Sequence, residues 1–312
     1  MNIKIGTRKS MLAMWQANYV KDELSKHGIH VELMPIDTKG DKVLDVSISK
    51  IGSKGVFTEE LEAMLENGEI DMAIHSAKDL PSELPKQFEI LAFSSREKEN
   101  DVLISLDKSL KLKSDKDRFT IGTSSTRRIA TLAHYYPNIK TVEIRGNLQT
   151  RIKKMETGHC DALLLAYAGV ARMEYHDLIN QELALDIFTP AVGQGSLAVE
   201  IATTLSADKK SKIRAILNDP TTEIKLKAER AYLRKLKGGC SIPAFANAQI
   251  IANKLSLHAG IFSLNGKEFV KKTLEGSLDT AEALGQKMGE DILQNGGAEI
   301  LAQINKELKR KG

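Results

Sequence analysis

The sequence predicts an α/β protein in which two similar α/β domains face a cleft and a small α+β domain follows at the C-terminal end. Three observations support this class. Strand-like and helix-like segments alternate through the first half of the chain, short motifs recur between its first and second quarters, and its last quarter alternates like antiparallel strands. Alternating strands and helices are typical of a mostly parallel sheet with helices on both faces.

The bulk composition is that of a globular protein of two or three domains. The chain has 312 residues, of which 42% are hydrophobic and 28% are charged, an ordinary length and balance for such a protein. No apolar run approaches the roughly 18 residues of a membrane span, and the first ten residues lack the apolar segment of a secretory signal. We therefore expect a cytoplasmic protein with no membrane partner.

The first quarter reads as strand, helix, strand, helix and strand. Apolar periodicity, capping residues and glycine stops predict a strand at 3–5, a helix from Ser10 to about His27, a strand at 31–36, a helix from Thr58 to Gly68 and a strand at 72–75. Residues 38–55 contain three glycines and have no strong period. They form either a short ordered segment with a loop or a mobile cover, and we favour the cover.

The second quarter repeats this plan. The predicted elements are a strand at 119–122, a helix that Ser124 or Ser125 caps and that runs to about Tyr136, a strand at 142–144, a helix at 148–155 and a strand at 162–166. Residues 5–8 resemble 121–124, and 68–73 resemble 158–163. Ligands of open α/β sheets lie beyond the carboxyl ends of the strands, and the polar motifs of both quarters fall at that edge.

The last quarter reads as a small α+β domain. The predicted elements are a helix at 223–236, antiparallel strands within 248–262 and 269–276, and a helix from about Thr280 to Leu293. The lysines within 306–311 predict a solvated face or tail. Residues 189–195 look like a crossing between domains, and Asn218-Asp219-Pro220 marks another break.

Arginines supply the first functional signal. Six of them follow a predicted strand or begin a helix: Arg8, Arg127, Arg128, Arg145, Arg151 and Arg172. Guanidinium forks and helix N-termini both favour carboxylates or phosphates, so the set predicts a polyanionic ligand, although each arginine alone is better explained as a surface residue beside a local acid. Residues 122–128 have the composition of an anion nest. They lack the P-loop spacing, and we reject nucleotide binding.

Asp79 and Cys240 are the candidates for chemistry. Asp79 follows a buried-looking strand, where a carboxylate can stabilise a cation in the cleft, although the local pattern alone favours a turn residue before Pro81. Cys240 follows two glycines and reads as an exposed thiol, for which a functional role is the less common interpretation. Cys160 lies beside a core strand and is expected to be inert packing, and His75 is expected to be a satisfied, partly buried histidine.

Several classes of site and partner are not expected. The two cysteines form no disulfide framework and no zinc-ligand spacing, so we expect a reducing compartment and no metal. A net charge of +4 and 5% aromatic residues do not favour nucleic acid.

The motifs stand in a specific order along essentially the whole chain. They comprise 7–10 with Trp15-Gln16, 54–57, 75–81, 122–128, 145–147, 190–195, and 229–231 leading to 238–240. None is decisive alone, but this order resembles the porphobilinogen deaminase family. The resemblance implies a monomer with two domains like those of periplasmic binding proteins and a third, smaller domain. The implied ranges are 1–98 completed by 195–216, then 99–194, then 217–312.

The resemblance also implies the site. Cys240 matches the residue that carries a dipyrromethane cofactor through a thioether, and Asp79 matches the catalytic aspartate. The residues that match those binding acetate and propionate groups of cofactor, substrate and growing chain are Arg8, Ser10, Lys78, Ser125, Arg127, Arg128, Arg145, Arg151 and Arg172. The residues that complete the expected binding set are Gln16, Phe57, Thr123, Ser124, Gly146 and Gln194.

The implied reaction explains why these residue types are needed. Porphobilinogen loses ammonia to give an electron-poor cation, the free α-carbon of the primer attacks it, and after four additions water releases a linear tetrapyrrole. An aspartate can stabilise the cation, and the arginines bind the acetate and propionate of each ring. The alternative is a non-catalytic two-domain binding protein for a polycarboxylate ligand, since fold does not fix function. The missing export signal and the domain presenting Cys240 argue against it.

Overall fold

Two five-stranded sheets and one three-stranded sheet form the framework of the computed structural model, which describes residues 1–38, 58–239 and 241–311. The expected cover at 38–55 lies outside the described residues except for Thr38. None of the described helices is both long and apolar enough to cross a bilayer.

The first two sheets alternate strands with helices along the chain. The elements up to the second crossing are β1 (Asn2–Arg8), α1 (Met11–Lys26), β2 (His30–Ile36), α2 (Glu59–Glu66), β3 (Met72–Ser76), β4 (Phe88–Phe93), β5 (Asp101–Ile104), β6 (Thr120–Gly122), α3 (Thr126–Tyr135), β7 (Lys140–Val142), α4 (Leu148–Glu156), β8 (Ala162–Ala166), α5 (Tyr167–Arg172) and β9 (Ile179–Glu182). The remaining elements are β10 (Leu197–Ala202), α6 (Ala207–Leu217), α7 (Pro220–Lys235), β11 (Ala244–Ile251), β12 (Lys254–Phe262), β13 (Phe269–Gly276), α8 (Ala281–Ile292) and α9 (Ala298–Lys311).

Each large sheet is mostly parallel, as the sequence predicts. The first has the strand order β2-β1-β3-β10-β4 and the second β7-β6-β8-β5-β9. One strand in each runs against its neighbours, namely β10 in the first sheet and β5 in the second. β5 follows a first crossing at residues 94–100, and β10 follows the second crossing at residues 189–195, so the two crossings enter the sheets in equivalent positions.

The predicted similarity between the first and second quarters is also present in the structure. The amide of Lys4 donates to Asp71 Oδ2 at 2.8 Å, and the amide of Thr120 donates to Asp161 Oδ2 at 2.7 Å. Asp71 lies just before β3, which pairs in parallel with β1, and Asp161 lies just before β8, which pairs in parallel with β6. The same hydrogen bond, from a backbone amide to an aspartate carboxylate, therefore helps to set the strand register in both sheets.

The helix starts follow the predicted capping residues with one exception. Ser10 Oγ accepts a hydrogen bond from the Ala13 amide, and Ser125 Oγ accepts one from the Arg128 amide, as serines at N-cap positions commonly do. Thr58 stands at the N-cap of α2, but its side chain makes no cap hydrogen bond. The capping function predicted for Thr58 is therefore wrong, because its backbone is already helical there.

The third domain has the predicted antiparallel strands and the predicted solvated lysine face. Residues 248–262 belong to two antiparallel strands, β11 and β12, because Ala252 and Asn253 take positive φ values of 47° and 60° and turn the chain. Lys306 and Lys309 are exposed on the last turns of α9. Ile300 and Ile304 on that helix are buried in the core of this domain, and their burial holds the lysine-rich turn in place.

A buried carboxylate joins the third domain to the crossing segments. Glu229 on α7 is fully buried and lies 2.6 Å from Arg96 Nη1. It also accepts the amide N–H of Gly193 and that of Ala248, both at 2.9 Å. These four residues come from α7, from both crossings and from β11, so Glu229 fixes the third domain against the crossing segments.

Candidate functional site

The predicted site residues lie at the carboxyl ends of parallel strands in the two large sheets. Arg8 ends β1, and Lys78 and Asp79 lie in a 3-10 turn, Ala77–Asp79, directly after β3. In the second sheet, residues 123–128 follow β6, and Arg145 and Gly146 follow β7. The edge predicted from the sequence to bind the ligand is therefore where these side chains are found.

A buried carboxylate holds two of the predicted binding residues. Asp101, the first residue of β5, is fully buried and lies 2.8 Å from Arg127 Nη2 and 2.7 Å from Arg128 Nη2. The Nη1 groups of the two arginines donate to Thr189 O at 2.9 Å and Leu164 O at 3.0 Å. Neither arginine is a surface residue, and one carboxylate pairs with two guanidinium groups, which leaves one positive charge uncompensated.

Gln194 connects this arginine pair to the other domain. Its Nε2 donates to Asp101 Oδ1 at 2.9 Å and to Glu99 O at 2.6 Å. Its Oε1 accepts from Lys78 Nζ at 3.4 Å. A single buried amide in the second crossing therefore links the cation after β3 to the cations after β6.

Asp79 is exposed at this edge, in contrast to the cations around it. In the described part of the chain it makes no hydrogen bond or salt bridge, yet its charge acts on both Lys78 and Arg151. Burial lowers the pKa of Lys78 to about 8, and Asp79 opposes this shift. Burial likewise lowers the pKa of Arg151 to about 10, Arg128 acting in the same direction and Asp79 against it.

Burial and charge also shift the pKa values of the arginine pair and its carboxylate. Burial opposes ionisation of Asp101, but the charges of Arg127 and Arg128 outweigh it and hold the pKa of Asp101 well below its usual range. Burial lowers the pKa of Arg127, and Asp101 opposes that shift. The carboxylate is therefore ionised, and the pair retains a net positive charge.

Several predicted binding residues also serve local structure. Gln16 is buried and its Nε2 donates to Ser76 Oγ at 2.8 Å, which connects α1 to the end of β3. Ser124 Oγ donates to Ile144 O at 2.7 Å, and Thr123 Oγ1 accepts from the Ser125 amide at 3.3 Å. The hydroxyls of the predicted anion nest thus shape the loop between β6 and α3.

The loop after β7 is shaped by its glycine and by Arg151. Gly146 has a φ of +112°, and its carbonyl accepts from Arg151 Nε at 2.7 Å. A Cβ at Gly146 would lie 2.6 Å from Thr150 Cγ2, so glycine is required there. Arg145 Nε lies 2.6 Å from Glu143 Oε1.

Arg172 lies apart from the arginine pair, at the second crossing. Its Nη2 donates to Gly195 O at 2.7 Å, and its guanidinium carbon lies 5.4 Å from the centre of the Trp15 ring. The structure therefore brings Lys78, Asp79, Arg127, Arg128, Arg151 and Gln194 together in one charged cluster. It places Arg172 at the domain boundary.

The cluster fits a group that carries several carboxylates. The Nε atoms of Arg127 and Arg128 are buried and have no hydrogen-bond partner in the residues described. Arg151 lies within ion-pair distance of no carboxylate in the same set of residues. Buried cations without matching anions are unfavourable, and the carboxylates of a ligand would supply what the chain itself lacks.

Two predicted site residues, Phe57 and Cys240, lie outside the described residues. The residues just before Cys240 are described, and they contact the loop that follows Asp79. Ser82 Oγ in that loop donates to Gly238 O at 3.0 Å. Arg230 Nη2 also donates to Pro81 O at 2.8 Å. The chain thus arrives two residues before Cys240 beside the loop that follows Asp79.

Sequence reasoning missed the buried acids of this region. Asp101 opens an apolar strand and Glu229 lies within a helix, and their only local signal is a charged residue in an otherwise buried pattern. His75 is buried as expected and pairs with buried Glu200 at 2.9 Å. Cys160 is buried in the second domain, and burial raises the pKa of its thiol, in agreement with an inert packing role.

Comparison with protein families covers nearly the whole chain. Residues 3–210 match the family described as "Porphobilinogen deaminase, dipyromethane cofactor binding domain", and residues 224–294 match "Porphobilinogen deaminase, C-terminal domain". Porphobilinogen deaminase of Desulfosudis oleivorans is 54% identical over 98% of this chain and 99% of its own length. That of Cytophaga hutchinsonii is 51% identical over 99% of this chain and 98% of its own length.

Solved structures of periplasmic domains are more distant. The BvgS VFT2 domain of Bordetella pertussis has a TM-score of 0.41 at 17% identity, with 70% of this chain and 85% of that chain covered. An arginine transport system periplasmic binding protein of Legionella pneumophila has a TM-score of 0.38 at 14% identity, with 69% and 92% covered. At such scores the fold assignment rests on the sheets of this chain alone. The family matches and the full-length relatives show that the chain belongs to the porphobilinogen deaminase family.

Proposed function

We propose that the chain is a transferase of tetrapyrrole synthesis that joins four porphobilinogen molecules, with loss of ammonia, onto a covalently bound dipyrromethane primer and then releases hydroxymethylbilane by hydrolysis. The names of its relatives support this activity. The observation in the structure that carries it is a surplus of partly buried cations around one exposed carboxylate, where the ends of both large sheets meet. The relatives lend no support to a non-catalytic polycarboxylate-binding protein.

The proposed role of the cations is to bind carboxylates. Each pyrrole ring of the substrate carries an acetate and a propionate. Lys78, Arg128 and Arg151 lie in the same charged cluster and have donors without a partner among the described residues. Charge-assisted hydrogen bonds of this kind stabilise a bound carboxylate by roughly 1.5–3 kcal/mol each. The family match adds Arg8, Ser10, Gln16, Phe57 and Arg145 to the proposed binding set.

The proposed role of Asp79 is electrostatic. It can accept a hydrogen bond from the pyrrole N–H of the substrate and stabilise the positive charge that forms when ammonia leaves. A carboxylate can also accept or return a proton during the addition. Its exposure leaves it available to the substrate, because no protein group in the described chain occupies it.

The cofactor is proposed to be attached through a thioether to Cys240. When bound, it supplies the nucleophilic α-carbon to which the first substrate ring is joined. Its carboxylates match the unused donors of the arginine cluster, and Gly238 lies beside the loop after Asp79. A thioether requires a free thiol, so the proposal includes a reducing compartment such as the cytoplasm. It also includes a monomer with no nucleic-acid or membrane partner and no metal.

The proposal is tested by the stoichiometry of turnover. The purified holoprotein, given porphobilinogen alone, should release four ammonia molecules for each linear tetrapyrrole. Binding of porphobilinogen without ammonia release would instead support a binding protein and contradict the proposed activity.

A further inference from the structure

Trp15 and Arg172 make a contact between the two large domains that the proposed mechanism does not use. Trp15 lies on α1 of the first domain, and Arg172 ends α5 of the second. The guanidinium carbon lies 5.4 Å from the ring centre, within the range of a cation–π interaction. Trp15 is also stacked on Tyr19, with ring centres 5.7 Å apart and planes 5° from parallel.

The same guanidinium is held from a second direction by the crossing. Arg172 Nη2 donates to Gly195 O at 2.7 Å, and that carbonyl also accepts the Glu97 amide at 3.2 Å. Gly195 and Glu97 belong to the two crossing segments. The hydrogen bond fixes one edge of the guanidinium, and the indole ring contacts it from the first domain.

This arrangement differs from that of Arg127 and Arg128. Those arginines share the negative charge of Asp101, whereas Arg172 has no carboxylate within ion-pair distance in the described chain. An aromatic face attracts a cation without using its N–H donors and without neutralising its charge. Among the described residues, Arg172 is therefore held in position with its charge and most of its N–H donors unpaired.

We propose that Trp15 is a positioning residue that holds Arg172 at the domain boundary, so that the remaining N–H groups of Arg172 receive a carboxylate of the substrate or the growing chain. This inference rests on the proposed function. An arginine side chain loses much rotational freedom on binding, and the indole removes part of that freedom before the carboxylate arrives. The contact thus makes binding stronger without touching the ligand.

A double-mutant cycle on kcat/KM for porphobilinogen tests this proposal. Trp15→Leu should lower kcat/KM about tenfold, in the range of a partly desolvated cation–π contact, and Trp15→Phe should retain at least a third of the activity because it keeps a ring. In an Arg172→Gln background, Trp15→Leu should change kcat/KM less than twofold, since Trp15 acts through Arg172. Tyr135→Leu serves as a matched control. It removes a ring 5.7 Å from Lys271 Nζ, away from the cleft, and should leave kcat/KM unchanged.

The outcomes separate this proposal from the proposed function. Wild-type activity in Trp15→Leu overturns the positioning role. So does a tenfold loss caused by Trp15→Leu in both the wild-type and the Arg172→Gln backgrounds. Either result leaves the proposed function intact. Absence of turnover in the unmodified chain overturns the proposed function itself.

Fluorescence gives a second measurement that does not require a Trp15 variant, because Trp15 is the single tryptophan of the sequence. Arg172→Gln should change its emission spectrum and abolish any change caused by porphobilinogen, and an unaltered spectrum and response would contradict the contact.

Discussion

Asp79 differs from the cations around it in its exposure. It has no hydrogen bond or salt bridge to the described residues, so the fold does not depend on its charge. We expect Asp79→Asn to lower turnover of porphobilinogen by on the order of 10²-fold or more, the contribution typical of a positioned acid or base, and to leave the thermal midpoint nearly unchanged. Asp22→Asn, an exposed carboxylate on α1, is the matched control. Near-normal turnover in Asp79→Asn would make Asp79 a turn residue.

Arg128 has a structural contact as well as a proposed ligand. Replacing it with leucine removes one partner of buried Asp101 and one donor to Leu164 O, so both stability and turnover should fall. Arg128→Lys should restore stability in part because it keeps the charge. It should restore little turnover because it lacks the planar fork. Urea unfolding and steady-state kinetics measure the two effects separately, and full turnover in Arg128→Leu would rule out the binding role.

Lys78 gives a pH dependence whose sign can be worked out. Its pKa is about 8 in the folded chain, below the ordinary value, so the unfolded state binds more protons between pH 8 and about 10.5. The free energy of unfolding therefore rises with pH across that window. We expect this rise in the cofactor-free variant Cys240→Ala to exceed the rise in the double variant Cys240→Ala/Lys78→Met. The difference should be on the order of 1–3 kcal/mol. Equal pH profiles would show that Lys78 is not desolvated.

At the scale of elements, the glycines of the second crossing hold two chain segments close together. Gly195 has a φ of +98°, and a Cβ there would lie 2.4 Å from Glu97 O. Gly195→Ala should therefore destabilise the protein by roughly 1–3 kcal/mol and lower turnover, because the carbonyl that binds Arg172 would move. Gly28→Ala is the matched control. Gly28 has a φ of +73° with no atom within 4 Å of the added Cβ, so it should cost about 1–2 kcal/mol with no loss of turnover. Equal turnover in both variants would contradict a role for the crossing.

Elements whose partners are close in sequence could be predicted, and those completed by distant segments could not. The parallel strands β1, β6 and β8 are apolar runs with a helix after each, and capping serines mark α1 and α3. β10 has only six residues, and its neighbours β3 and β4 precede both crossings in the chain. Its position in the sheet has no local signal. The helix α9 was not predicted, because its lysines made the apolar repeat that includes Ile300 and Ile304 hard to recognise in the sequence.

The candidate site shows the same limit. The arginines at strand ends could be predicted because guanidinium groups at that edge favour anions. The carboxylate that holds two of them could not, because Asp101 contacts Arg127 and Arg128 across 26 and 27 positions of sequence. Gln194 and Lys78 meet across 116 positions. Contacts of this kind depend on how distant segments of the chain come together in the fold, and no short sequence motif indicates that.

At the scale of the whole molecule, buried charge connects the three parts of the chain. The ion pair of Glu229 and Arg96 joins the third domain to the crossings. Gln194, in the second crossing, hydrogen-bonds to both Asp101 and Lys78. This arrangement places the segment that leads to Cys240 beside the loop after Asp79. A primer attached at Cys240 would remain at one catalytic carboxylate while rings are added, and attachment favours repeated reaction at that site.

The mass of the purified protein in denaturant is the most direct test of the covalent cofactor at Cys240. We predict a mass higher than that of the 312-residue chain by two linked pyrrole units, with the adduct on the peptide that contains Gly239 and Cys240. Cys160→Ala should keep the adduct because Cys160 is buried in the second domain. Cys240→Ala should lose both the adduct and nearly all activity, and its stability should fall because a ligand of the folded state is missing. An unmodified chain with full activity would contradict the assignment of Cys240 and the mechanism built on it.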